Sequence, residues 1–106
     1  MDALMHSNAA VTTPLAGRYL QQLCKHFAHK LDVTFDERSG QVVFPTGTCR
    51  LDAREGSLLL SLSAPDDARM TQLQDVVARH LVRFAFREEL RIDWHPGPGA
   101  SDGGKA

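Results

Sequence analysis

The stretch TCRLDAREGSLLLSLSA, residues 48–64, decides the fold. Cys49, Leu51 and Ala53 alternate with Thr48, Arg50 and Asp52, and beyond Glu55-Gly56 the alternation resumes with Leu58, Leu60 and Leu62. Apolar residues two apart share one face of a strand, and Glu-Gly supplies a turn. The stretch therefore predicts a β-hairpin with one buried and one polar face.

The pattern continues on both sides. Upstream, Val33 and Phe35 alternate with Thr34 and Asp36, Ser39-Gly40 turns the chain, and Gln41 to Phe44 returns as a partner strand. This first hairpin is separated from the second by Pro45-Thr46-Gly47. Before it, Leu15, Tyr19, Leu20, Leu23, Phe27 and Leu31 recur every three or four positions, which predicts a helix about five turns long. Thr13-Pro14 has the form of its N-cap and first helical residue, and Ala9 to Thr13 alternates weakly as a short first strand. Downstream, Asp66-Asp67 suits a helix N-terminus, with Met70, Leu73, Val77, Leu81 and Phe84 following at helical spacing. Leu90, Ile92 and Trp94 then alternate with Arg91 and Asp93 as a last strand.

The order strand, helix, four strands, helix, strand predicts an α+β two-layer sandwich, a mainly antiparallel sheet with both helices on one face. Leu23, Phe27, Leu60, Val77, Leu81 and Phe84 are expected to be buried between the layers. Thr34, Asp36, Thr48, Arg50, Asp52, Ser61 and Asp93 are expected on the open face. Residues 7–95 form one domain in this reading, with 1–6 and the Gly/Pro/Ser-rich 96–106 disordered.

Composition limits the function classes. With 106 residues, 42% apolar and 24% charged, the chain has the make-up of a single globular domain. No apolar run approaches the roughly 18 residues of a membrane span. Met1 to Asn8 lacks the basic start and apolar stretch of an export signal, so a cytoplasmic location is expected. Cys24 and Cys49 are then expected as reduced, apolar fillers. GxGxxG, Walker, GxSxG and HExxH patterns are absent from the sequence.

The chemistry lies in CKHFAHK, residues 24–30, and ARHLVRFAFREE, residues 78–89. On a helical wheel His26 falls at one margin of the apolar stripe with His29 beyond it, beside Arg18 and Gln22, and Cys24 falls at the opposite margin. One helix cannot converge Cys24, His26 and His29 on a metal ion. His26 and His29 alone could cooperate, with further ligands drawn from elsewhere, so metal binding stays open. In the second stretch His80, Arg83 and Arg87 fall on one flank as a cationic row. Phe86 would point outward from a regular helix, which predicts that the helix ends near it.

Charge separates these segments from the rest. Residues 14–31 carry Arg18, Lys25 and Lys30 without an acid, and residues 76–87 carry Arg79, Arg83 and Arg87, again without one, although the net charge is only −1. An electropositive helix layer attracts anionic ligands or acidic partners. A near-neutral chain with one Trp and one Tyr argues against general nucleic-acid binding.

The stretches RYLQQLCKHFAHK (18–30), PTGTCRL (45–51) and VVARHLVRFAFREEL (76–90), followed by Ile92-Asp93-Trp94, carry a resemblance. The chain resembles an uncharacterised bacterial family of small domains, found alone or joined to siderophore-interacting flavin-dependent reductases. The resemblance implies an accessory role in ferric-siderophore reduction. The family's characteristic basic and histidine positions match at Lys25, His26, His29, His80, Arg83 and Arg87, and it brings no catalytic residue to carry over.

Three readings follow. In the first, a non-enzymatic domain binds an anionic ligand or the acidic surface of a reductase through Arg18, Lys25, His26, His29, His80, Arg83 and Arg87, without a cofactor. In the second, the chain is a structural or oligomerising domain whose helices are basic for solubility. In the third, His26, His29 or His80 serves as a general base, although no nucleophile or orienting carboxylate is visible beside them in the sequence.

Overall fold

The computed structural model describes residues 4–97. The strands are β1 (Met5–Thr12), β2 (Asp32–Phe35), β3 (Ser39–Phe44), β4 (Gly47–Arg54), β5 (Ser57–Ala64) and β6 (His95–Pro96), and the helices are α1 (Ala16–Phe27) and α2 (Asp67–Phe84). They form one six-stranded sheet of order β2-β3-β4-β5-β1-β6, antiparallel at every pairing. No helix of the described residues is long and apolar enough to cross a membrane.

Alternation along the strands sorts the two faces. The β4–β5 ladder sets Cys49 opposite Leu62 and Leu51 opposite Leu60, and all four are buried against the helices. Between them Arg50 faces Ser61 on the open side. α1 and α2 both pack on β4 and β5, α1 reaching towards β2 and β3 and α2 towards β1. Tyr19, Leu20, Leu23 and Cys24 of α1 and Met70, Leu73, Val77 and Leu81 of α2 enter one core. Gly40 lets α1 settle closely on β3, because a Cβ there would stand 2.7 Å from the Cys24 Sγ. Both cysteines are free and buried; burial pushes the Cys24 thiol up to about 11 and raises that of Cys49 further.

α2 begins as its sequence predicts. The Asp66 side chain accepts a hydrogen bond from the Arg69 N–H at 2.8 Å and pairs with the Arg69 guanidinium at 2.6 Å. α1 is shorter than expected, at 12 residues. Pro14 and Leu15 form a turn ahead of it, with the Thr13 Oγ1 accepting from the Leu15 N–H at 3.1 Å. At the other end the N–H groups of Lys30 and Leu31 both bond to the Phe27 carbonyl, which tightens the last turn and removes Leu31 from the regular helix while leaving it against the core.

The termini of the domain differ from the sequence reading in two places. β1 starts at Met5, not Ala9, because β5 runs on to Ala64 and offers partners to Met5 and His6. The last strand is His95–Pro96, paired with Asn8 and Ser7, rather than 90–94. Residues 90–94 are held by side chains instead of by a ladder. Leu90, Ile92 and Trp94 pack half-buried on the core while Arg91 and Asp93 stay exposed, so the alternation marked the faces without a hydrogen-bonded strand. Just before them, the Glu88 carboxylate accepts from the Tyr19 hydroxyl at 2.5 Å and the Thr13 hydroxyl at 3.1 Å. Pro96 pairs with Ser7, and the Gly97 N–H donates to the His6 carbonyl at 2.9 Å. The disorder expected of residues 1–3 and 98–106 lies outside the described residues.

Candidate functional site

α1 and α2 pack side by side, and the flank of α1 that carries Arg18, Gln22 and His26 meets α2, while His29, expected on the helix, lies in the turn that follows it because α1 ends at Phe27. His26 lies between the rings of His80 and Phe84, with centroids 5.0 and 5.7 Å away. Phe27 packs on His80 and on Phe44, each at 4.9 Å. Phe27 and Phe84 were expected to be buried. Both are only partly buried, because each packs at the edge of the core, against a histidine ring at the groove as well as against the core itself.

His80 is fixed by its own helix. Its Nδ1 lies 2.7 Å from the Val76 carbonyl, and since a carbonyl only accepts, Nδ1 carries the proton and Nε2 is left to face a partner. Beside these rings a cleft of about 380 Å³ is lined by His26, Phe27, His29, Lys30, Leu31, Phe44 and Val76. Its floor is apolar and its rim is cationic. Desolvation first, then the charges of His80, His29, Arg83 and Lys30, lower the pKa of His26 below its ordinary 6.5. No acid is among these neighbours, so the surroundings favour loss of the His26 proton, and an incoming anion would oppose that effect.

A second cleft, of about 360 Å³, lies further along the groove and is lined by Leu15, Arg18, Tyr19, Gln22, Phe84, Phe86 and Arg87. Phe84 belongs to both regions, stacking on His26 and walling this cleft. α2 ends at Phe84, as the outward direction of Phe86 predicted, and Phe86 is nevertheless 76% exposed. The helix end breaks the cationic row. His80 and Arg83 stay on α2, while Arg87 sits in the following turn with its guanidinium 5.4 Å from the Phe86 centroid. The Gln22 Oε1 is buried and has no hydrogen-bond partner, a state that costs about 1–3 kcal/mol.

The groove thus gathers His26, His29 and His80 with Lys30 and Arg83 at one end and Arg18 with Arg87 at the other. Lys25 is exposed and lines neither cleft; on the wheel it faces away from α2. Arg79 is taken up by Asp75 at 2.9 Å, an acid one residue outside the acid-free segment. Among the described residues no group of three or more His, Cys, Asp or Glu is arranged to hold a metal ion. The sequence reading missed the apolar floor from Phe44 and Val76, which depends on strand and helix meeting, and the Thr13–Tyr19–Glu88 cluster, for which it offers no signal.

The field around His26 has a measurable consequence. A histidine whose folded pKa is depressed contributes stability above the unfolded value, near 6.5, and that stability is lost as pH falls through the folded pKa. NMR titration of the His26 ring is expected to give a midpoint below 6.5. The midpoint should rise in Lys30→Ala and His29→Ala variants, and an unchanged value in both would show that neighbouring charge does not act on the ring.

A two-layer α+β domain with a basic, histidine-bearing groove between its helices is the class that fold and site define. Residues 8–95 match the family model described as an uncharacterized protein conserved in bacteria, DUF2218, and the chain belongs to that family. Among solved structures it is similar to the NMR structure of PA4090 from Pseudomonas aeruginosa, with 37% identity, a TM-score of 0.74, and coverage of 86% of this chain and 95% of that one. No curated protein matches the chain.

Proposed function

We propose that this domain is a non-enzymatic, cytoplasmic accessory module that binds an anionic ligand along the α1/α2 groove. The observation that carries the reading is the setting of His26, whose ring packs 5.0 Å from that of His80 beside a cleft that His29 and Lys30 line together with Phe27, Phe44 and Val76, with no acid among the lining residues. Such a site gains from an anion twice, by Coulomb attraction and by proton uptake on His26 once the anion offsets the surrounding charge. The resemblance to domains joined to siderophore-interacting reductases suggests ferric-siderophore chelates as the anion and iron–siderophore utilisation as the setting. An acidic reductase surface is the other occupant of matching charge.

Titration calorimetry with ferric siderophores, and separately with a siderophore-interacting reductase, tests the reading at several salt concentrations. Binding is expected to weaken as salt rises and to tighten from pH 8 to pH 6. A Lys30→Ala/Arg83→Ala variant is expected to lose about tenfold or more in affinity. Binding as tight as wild type in that variant at low salt would make these cations a solvated flank and favour the structural reading. Binding to the reductase alone would make the groove a protein-docking surface.

A further inference from the structure

We infer that the second cleft is a separate subsite for a planar aromatic carboxylate bearing a ring hydroxyl or amino group. The inference deepens the anion-binding reading by giving Arg18 and Arg87 a ligand class of their own.

Three features select that chemistry. Arg18 from α1 and Arg87 from the turn after α2 line the cleft from two elements, and among the described residues neither is held in an ion pair. Two guanidinium forks flanking one space match a carboxylate, which each can grip with parallel N–H donors. Between them the walls are Leu15, Phe84 and Phe86, and Phe86 keeps most of its ring exposed. An aromatic body stacks on such rings, and a small hydrated anion leaves them uncovered. Gln22 also lines the cleft, and its Oε1, buried without a donor, comes within reach of a ligand there by rotation of the side-chain amide. A hydroxyl or amino group on the ring supplies one, which inorganic phosphate at neutral pH and an unsubstituted benzoate do less well. The Glu88 carboxylate is turned to the Tyr19 and Thr13 hydroxyls and forms no ion pair with either arginine.

The cleft volume of about 360 Å³ suits a single ring with its substituents rather than a large chelate. The test is a titration of isotope-labelled protein, followed by amide NMR, with 3-hydroxybenzoate, benzoate, cyclohexanecarboxylate and inorganic phosphate as probes, the meta hydroxyl being free of the ring's own carboxylate. Saturable shifts at residues 15–22 and 84–87 are expected with 3-hydroxybenzoate, at a Kd of about 0.1–1 mM for so small a ligand. Benzoate should bind several-fold more weakly, and cyclohexanecarboxylate and phosphate about tenfold or more weakly. Arg18→Ala and Arg87→Ala are each expected to cost about tenfold, and Gln22→Leu is expected to abolish the preference for 3-hydroxybenzoate over benzoate.

Equal binding of phosphate and 3-hydroxybenzoate would overturn the inference, as would shifts confined to the His26–Lys30 cleft, although in both cases the anion-binding reading would survive. Absence of saturable shifts with every probe, at either cleft and at low salt, would remove the subsite and count against the wider reading too.

Discussion

Replacing Leu81 with alanine is expected to lower the unfolding free energy by about 2–5 kcal/mol, measured by urea denaturation with tryptophan fluorescence or circular dichroism. Leu81 is 0% exposed and belongs to the core in which α1, α2 and the inner sheet face meet. That core draws its residues from both helices and from β1, β3, β4 and β5, so the space left by the lost side chain does not close by a shift of one element alone. The cost therefore includes a cavity term in addition to the lost transfer energy. Single domains hold about 5–15 kcal/mol in all, so the variant should remain folded with a clearly lowered midpoint. A change below about 0.5 kcal/mol would mean that Leu81 does not sit in an enclosed site.

Gly47→Ala is expected to be at least as damaging, at about 3 kcal/mol or more. A Cβ at this position would stand 2.2 Å from the Ser63 backbone carbonyl oxygen, 3.0 Å from Leu73 Cδ2 and 3.1 Å from Ala64 Cβ. The nearest of these is backbone, at the end of the β4–β5 ladder where Thr48 pairs with Ser63, and cannot rotate away as a side chain would. Relief requires β4 and β5 to separate next to the place where α2 packs through Leu73. A Gly56→Ala variant is a useful contrast, since Gly56 has φ +81 but open space around its Cβ position. It should suffer only the backbone strain of a left-handed turn residue, on the order of 1 kcal/mol. If the Gly47 variant melts no lower than the Gly56 variant, the close approach at Ser63 does not hold in solution.

The charge segregation of the sequence survives folding, but its parts are redistributed. His26, His29 and His80 come together because α1 and α2 meet along one flank, and the wheel had placed Cys24 correctly on the other. Arg83 remains near His26, whereas Arg87 is carried past the helix end to a second cleft and Arg79 is neutralised by Asp75. The net effect is a groove with two chemically different ends, divided by the Phe84 ring.

Local pattern was enough for the elements and their faces. Period two in residues 48–64 and helical spacing in residues 66–84 are repeated many times, and each repeat is enforced by the same physical fact, that one face is dry and the other wet. The start of α2 at Asp66-Asp67 and its end ahead of Phe86 were readable for the same reason: their causes lie within a few residues. The length of β1, the pairing of His95–Pro96 in place of 90–94, and the partial exposure of Phe27 and Phe84 were decided only by tertiary structure. Each depends on a partner remote in sequence: β5 for Met5, Thr13 and Tyr19 for the Glu88 that holds the chain before Leu90, and the histidines for the two phenylalanine rings. Composition fixed the positive sign of the helix layer, but only the packing of α1 on α2 decided which cations face one another, because the field at a site falls with distance through space and takes no account of distance along the chain.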